Sequence, residues 1–253
     1  MKTYTVKIKA LMPIWTGDAE RKSRELRETG IIGSLRWWDE ALIRGLGGSA
    51  CDPTNTKCEG KNHCDACELF GCTGWARKFR LEVERKTNNE VILKFIEMRK
   101  MKDIEWALLN KTINIIAEYG AIGGKIADPN SGLIEIIQND LDNFLVDKTT
   151  LGGYFEKKGD NINNPNLEKF VFINSNLVNK TVKDIKNNLN LNFLKGRKGK
   201  GKRYFYKIYN RNPKRLFVYA EDDNEYGQIC KFLTKHKNSV QFVTGKEILE
   251  GLK

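Results

Sequence analysis

The chain has 253 residues, with 44 Lys plus Arg against 32 Asp plus Glu, a formal charge of +12, two His and six Cys, five of them between Cys51 and Cys72. A chain this long buries roughly 70–75 % of its unfolded surface, so one large domain or two small ones fold without disulfide staples. No apolar run approaches the roughly 18 residues that span a bilayer, and the start alternates like a strand rather than reading as a signal peptide, which excludes an integral membrane class and predicts a soluble, cytoplasmic protein without a membrane partner.

Tyr4, Val6, Ile8 and Ala10 alternate with Thr5, Lys7 and Lys9, the pattern of a half-buried strand over 3–11. A charged loop, 17–27, leads into a helix opened by Thr29-Gly30-Ile31-Ile32-Gly33-Ser34, in which Leu35, Trp38 and Leu42 recur at helical spacing. The Cys segment, rich in Asn, Lys and Gly, reads as an insertion tied to the body at both ends. Strands follow at 79–83 and 91–96 around a hairpin loop at 86–89. A helix over 103–119 is apolar on two faces and so packs deeply. A second glycine cluster, Gly120-Ala121-Ile122-Gly123-Gly124-Lys125, precedes an apolar stretch from 133 to 146.

The polar patch 157–166 divides two halves. Beyond it come a strand at 170–173, an amphipathic helix at 182–194, a strand at 216–220, a helix at 226–235, a short strand at 240–243 and a final helix opened by a Thr244/Glu247 capping box. Strands and helices without regular βαβ repetition predict an α+β fold.

The excess charge is local. No acidic residue occurs between Asp184 and Glu221, where eleven basic side chains fall, and the remainder is balanced at 33 against 32. Within it, Lys195-Gly196-Arg197-Lys198-Gly199-Lys200-Gly201-Lys202-Arg203 sets six cations on a glycine-rich backbone and runs into Tyr204, Phe205 and Tyr206. That suits a phosphate backbone with stacking beside it; a solvated lysine surface whose aromatics face the core is the plain alternative.

The helix entry Gly30-x-x-Gly33-Ser34-x-Arg36 is a second anion candidate, because unpaired N–H groups and the helix dipole favour phosphate and Arg36 adds a two-pronged contact. A tight helix entry capped by Ser34 explains it equally well. Arg21, Arg24 and Arg27 precede it and can converge on the same path, moderated by Glu20, Glu25 and Glu28. Of the adjacent tryptophans, Trp38 is expected in the core and Trp37 at its edge, where it can stack a base. A helix C-cap accounts for Gly120 alone, but not for three glycines within five residues.

In the insertion, Cys51-x6-Cys58-x5-Cys64-x2-Cys67 ends in a C-x-x-C pair that suits tetrahedral zinc, with His63 or Cys72 as substitute ligands. Reduced thiols in an ordered loop are the alternative, and the apolar neighbours of Cys72 suit a buried thiol. For catalysis the sequence offers no recognisable motif: His63 lies inside the Cys cluster, His236 sits between two lysines, and there is no Walker loop, nucleophile elbow or carboxylate cluster. No catalytic residue is expected.

Four segments, 13–18, 29–38, 51–54 and 69–77, together resemble the family of the first subunit of the Cmr effector complex, RAMP proteins of type III-B CRISPR systems. The resemblance is specific over 13–80 and diffuse beyond. It implies ferredoxin-like, RRM-type βαββαβ units: an N-terminal half, 1–160, carrying the Cys-rich insertion 48–75, and a C-terminal half, 161–253, as a reduced second unit. It also implies a noncatalytic binding subunit that contacts guide RNA (crRNA) near its 3′ end or single-stranded target RNA, alongside other Cmr subunits. Gly123, Gly124 and Lys125 resemble the glycine-rich loop by which RAMP proteins approach RNA, although the usual arginines and the closing aromatic-glycine pair are missing. A metal-independent RAMP endoribonuclease is the competing expectation.

Overall fold

The computed structural model describes residues 1–18, 20, 22–147, 151, 153–155, 159, 161–174, 178–187, 189–198, 201–210, 212–235 and 240–251. In the first half the alternating residues of β1 (Thr3–Ala10) turn Val6 and Ile8 into the core, with Tyr4 and Ala10 packed at its margin. Helix α1 (Glu28–Gly45) and the short α2 (Asp65–Phe70) of the Cys insertion follow, then the hairpin β2 (Phe79–Arg85) and β3 (Glu90–Glu97), helix α3 (Asp103–Glu118) and β4 (Ile134–Asn139). The sheet is antiparallel with the order β2-β3-β1-β4.

The second half repeats this plan. It runs β5 (Phe170–Asn174), α4 (Val178–Asn187), β6 (Tyr204–Tyr209), β7 (Asn212–Tyr219), α5 (Asp223–Thr234), β8 (Phe242–Thr244) and a terminal α6 (Gly245–Glu250), with the order β6-β7-β5-β8. Both halves are therefore βαββαβ units with the same strand order. The second unit is not reduced: it carries all six elements.

Strand β5 shows how the halves join. Phe170 and Phe172 belong to the core that contains α1 and α3, whereas the alternate residues Val171 and Ile173 belong to a second core with Val178, Ile185, Leu216, Val218 and Ile229. A strand buried on both faces needs an unbroken apolar run, and Phe-Val-Phe-Ile supplies it. The second sheet thus lies between the helices of the first half and its own. Trp38, 1 % exposed, is central, with its ring 5.7 Å from Phe170 and 5.3 Å from Phe217 and its Nε1–H donating to the Ala121 carbonyl at 2.9 Å.

Two basic residues of the second sheet also fasten it to the first half. Arg215 donates to the Gly120 carbonyl at 2.8 Å, Ala117 at 3.0 Å and Ile116 at 3.4 Å, binding the last turn of α3 and the loop just past it. Burial lowers its pKa to about 10. Lys207, fully buried, donates from Nζ to the carbonyls of Ile126 at 2.5 Å and Asp128 at 2.7 Å; desolvation pushes its pKa down to about 8. Arg215→Ala leaves three carbonyls without their charged donor, and we expect it to cost about 2 kcal/mol in a chemical denaturation measurement.

The apolar stretch 133–146 contains β4: Ile134 and Leu141 enter the core while Leu145 stands 73 % exposed. The helix expected over 182–194 is α4, which starts at Val178, followed by a tighter 3-10 segment, Leu189–Leu194, kinked at Leu191 (φ −118°, ψ 30°). No described helix is long and apolar enough to cross a membrane.

Candidate nucleic-acid interface and metal centre

Helix α1 begins at Glu28, after an extended Arg27, so Gly30 is its third residue and Gly33 its sixth. The glycine motif therefore does not open the helix, and the Gly33 and Ser34 N–H groups lie in the helical ladder, not free at its mouth. Gly30 is needed for packing, since a Cβ there would fall 2.8 Å from Cβ of Thr16. Thr16 is itself fixed: its hydroxyl donates to the Glu25 carbonyl at 3.0 Å and accepts from the Arg27 N–H at 2.9 Å. Gly33 is exposed, and a Cβ there would meet nothing within 4 Å, so the helix presents bare backbone at that point.

Ser34 is not a cap but a junction. Buried at 5 % exposure, its hydroxyl accepts from the Gly123 N–H at 3.0 Å, joining the two glycine segments across 89 residues of sequence. Gly123 has φ +104°, and a Cβ would stand 2.6 Å from the Trp15 carbonyl, so only glycine fits. Gly124 N–H donates to that same carbonyl at 2.8 Å. The Trp15 indole lies against Gly17 and Gly124, and Lys125 Nζ stands 4.6 Å from the ring centroid. The result is a shelf of bare backbone at Gly33 and Gly124, with the Trp15 ring and the exposed Lys125 beside it and the exposed Arg27 tied by its backbone to the neighbouring Thr16. Such a surface can receive a single strand by backbone approach, charge and stacking together. The sequence reading did not single out Trp15; the run Trp15-x-Gly17 before the charged loop is the trace it left.

The other residues named from sequence are placed differently. Arg24 pairs with Glu20 at 3.3 Å on the exposed loop, and Arg21 lies outside the described residues. Trp37 sits edge-on to Trp38 at 4.9 Å, Phe170 at 6.0 Å and Tyr219 at 6.2 Å, so it closes the joint between the halves and offers no open platform. Arg36 turns inward: Nε donates to Glu40 at 2.7 Å, Nη1 to the Gly71 carbonyl at 2.9 Å and Nη2 to the sulfurs of Cys67 and Cys51 at 3.2 and 3.5 Å. Burial alone would lower its pKa, but the Glu40 bond and the sulfur charges raise it above the ordinary value. Each of its three nitrogens has a partner inside the protein.

In the basic stretch Arg197 and Lys198 are exposed, and Lys200 lies outside the described residues. Lys202 stands 4.3 Å from the Tyr204 ring and 5.2 Å from the Tyr206 ring, which stack nearly parallel at 9°, and Lys186 approaches Tyr206 at 5.0 Å. Burial, then Lys186, lowers the Lys202 pKa. Arg203 is not a surface cation: 3 % exposed, it grips Glu225 through both nitrogens at 2.5 and 3.0 Å and the Phe193 carbonyl at 2.8 Å, tying β6 to α5. With Lys207 and Arg215, three of the eleven basic side chains serve the interior.

Cys51, Cys58, Cys64 and Cys67 are all buried, and their sulfurs lie within 4.8 Å of one another, a cluster that can hold a metal ion. Local structure builds it. Cys64 precedes α2 and Cys67 rides on its first turn, while the Asp65 carboxylate accepts from Ser49 N–H at 2.7 Å and holds the two ends of the module together. Backbone N–H groups of Cys64 and Cys51 point at the sulfurs of Cys58 and Cys64 at 3.3 and 3.4 Å. His63 is turned away, its ring nitrogens on the Glu68 carboxylate and the Gly60 carbonyl, both at 2.6 Å, and its face on Trp75 at 4.4 Å. Cys72 lies outside the four and is half-buried, not fully enclosed. Lys78 links the module to the body through Glu68 at 2.6 Å and Glu105 at 2.5 Å.

A family model described as the RAMP superfamily matches residues 7–242. Among solved structures, Cmr1 from Pyrococcus furiosus in its apo form superposes with a TM-score of 0.54 at 10 % identity, covering 97 % of this chain and 99 % of that one. A chain of the cryo-EM structure of the Type III-B Cmr-beta bound to cognate target RNA superposes with a TM-score of 0.56 at 13 % identity, covering 90 % and 97 %. At such identities these likenesses are likenesses of fold. No curated protein matches in sequence.

Proposed function

The chain belongs to the RAMP superfamily, and on that premise we propose that it is a noncatalytic RNA-binding subunit of a type III-B CRISPR ribonucleoprotein, the Cmr complex, acting in antiviral defence beside other Cmr subunits. The observation that carries this reading is the Ser34–Gly123 junction, which sets Gly33, Gly124, Trp15 and Lys125 on one shelf, with Arg27 tied to the neighbouring Thr16. Its ligand is single-stranded RNA, with guide RNA near its 3′ end as the first candidate strand and target RNA as the second. The match over nearly the whole of a type III-B chain supports placing it in that assembly.

A binding role is favoured over a nuclease role because His63 is buried at 1 % exposure with both ring nitrogens hydrogen-bonded inside the Cys module, out of reach of RNA; His236 lies outside the described residues. Incubating the protein as purified with labelled repeat RNA, without added metal, is expected to return the RNA intact; site-specific cuts would establish the competing endoribonuclease. The Lys125→Ala/Arg27→Ala double variant is expected to weaken single-stranded RNA binding about tenfold by fluorescence anisotropy. It should also flatten the log–log salt slope by about 1.4, at roughly 0.7 for each phosphate contact. Unchanged affinity and slope would remove the shelf from the interface.

For the metal, we propose zinc. Four thiolates with no other donor suit a closed tetrahedral structural site and leave no position for a reacting ligand.

A further inference from the structure

The strap 10–15 also lines a concavity of about 460 Å³. Its floor is apolar, formed by Met12, Ile14 and Val91, each under 10 % exposed. Its rim is the tip of the β2–β3 hairpin, where Arg85, Asn88 and Asn89 face the opening. Trp15 belongs to both places: it lines this cavity and packs on Gly124 beside Lys125.

The chemistry of the lining selects among ligands. The volume falls in the range of small-ligand pockets, roughly 300–1,000 Å³. The Asn89 side chain accepts from the Thr87 hydroxyl at 3.1 Å, and its amide N–H groups have no partner among the described residues. Asn88 adds a second amide at the rim. An amide offers a donor and an acceptor side by side, the pattern that pairs with a base edge, and an arginine fork fits a guanine edge or a phosphate. A free phosphate would call for several converging cations, and Arg85 is the one cation of the lining. A purely aliphatic ligand would leave the polar rim unpaired. A flat heteroaromatic ring satisfies both floor and rim.

We propose that this cavity takes one nucleobase turned out of the RNA strand that crosses the glycine shelf, with Asn88 and Asn89 on its edge and Arg85 at its flanking phosphate. The proposal rests on the RNA-binding reading above and adds a nucleotide subsite to it. Unstacking a base costs a few kcal/mol in a duplex and least in a single strand, so a single-stranded ligand is the one that can supply it.

The test uses the full chain with single-stranded RNA carrying 4-thiouridine, and in parallel an abasic nucleotide, at each position in turn. Photocrosslinks are expected in the peptides spanning 12–15 and 85–91. At one register the abasic nucleotide should weaken binding about fivefold. Asn88→Ala, on an exposed turn, should cost about the same, and combining the two should cost no more than either. If RNA binds while its crosslinks map only to the segments of Lys125 and Lys198, and Asn88→Ala changes nothing, the subsite is wrong and the RNA reading stands. If the wild-type chain binds no RNA at low salt, both fall.

Discussion

Removing zinc from the Cys51, Cys58, Cys64 and Cys67 site is expected to unfold the Cys module and lower the melting temperature of the chain by more than 10 °C. The module has little apolar material of its own: the buried cluster around the four sulfurs adds Ala50 and Ala66, with Ile43 from α1 and, packed against it, Cys72 and Phe155. A structural zinc supplies on the order of 10 kcal/mol of apparent binding free energy, and where no other core exists that energy is folding energy. The loss spreads inward, because Glu68, the partner of Lys78, sits on α2, and Lys78 also holds the buried Glu105 at the start of α3. The measurements are zinc per chain after gentle purification, expected near one, and limited proteolysis within 52–62 after chelation. Cys67→Ser should reproduce the chelated state without chelator. Zinc below about 0.2 per chain, or a melting curve that chelator leaves unmoved, would sink the assignment.

Arg36 belongs to the same prediction. As a phosphate contact it would lower RNA affinity and leave stability alone; as the donor to Cys51, Cys67 and the Gly71 carbonyl it does the reverse. Arg36→Ala is therefore expected to speed zinc loss and lower the melting temperature, with RNA affinity falling only as far as the fold does.

Arg36 also shows where a sequence stops being legible. Apart from Glu40, one helical turn on, its partners lie 15 to 35 residues away, beyond any helical or strand period, so the residue read as a surface cation beside a glycine motif. Arg203 and Lys207 misled in the same way, one reaching Glu225 on α5 and the other Ile126 and Asp128 in the first half. The βαββαβ order followed from the resemblance, with hairpin signals and helical spacing in support, and the buried β5 from its apolar run. The C-x-x-C pair with two upstream cysteines marked a metal cluster because ligand spacing is itself local. The two glycine segments were visible one by one, but their meeting through Ser34 and Gly123 is tertiary, and no periodicity encodes a contact across 89 residues. The stretch 133–146 was ambiguous for another reason: a short apolar run fits a strand or a helix equally well.

Asp39 carries the last prediction. It is fully buried on α1, its Oδ1 accepts from the Thr112 hydroxyl at 3.2 Å, and its Oδ2 has no partner among the described residues. Burial raises its pKa from 3.8 to about 8; Thr112 and Arg36 oppose the shift, and Glu40 adds to it. Between these two values the folded chain keeps a proton that the unfolded chain releases, so stability falls as pH rises from about 4 to about 8. Each pKa unit corresponds to about 1.4 kcal/mol. Asp39→Asn keeps an acceptor for Thr112 and cannot ionise, so it should be the more stable protein at pH 8. Its advantage should widen by about 2 kcal/mol from pH 6 to pH 8, because Asp39 is half ionised at the upper limit, and for a chain of this size that is roughly 5–9 °C in melting temperature. Starting at pH 6 keeps thiolate protonation at the Cys site from dominating the comparison. Thermal melts of both proteins across that window give the result, and parallel curves would mean that Asp39 keeps its charge inside the fold.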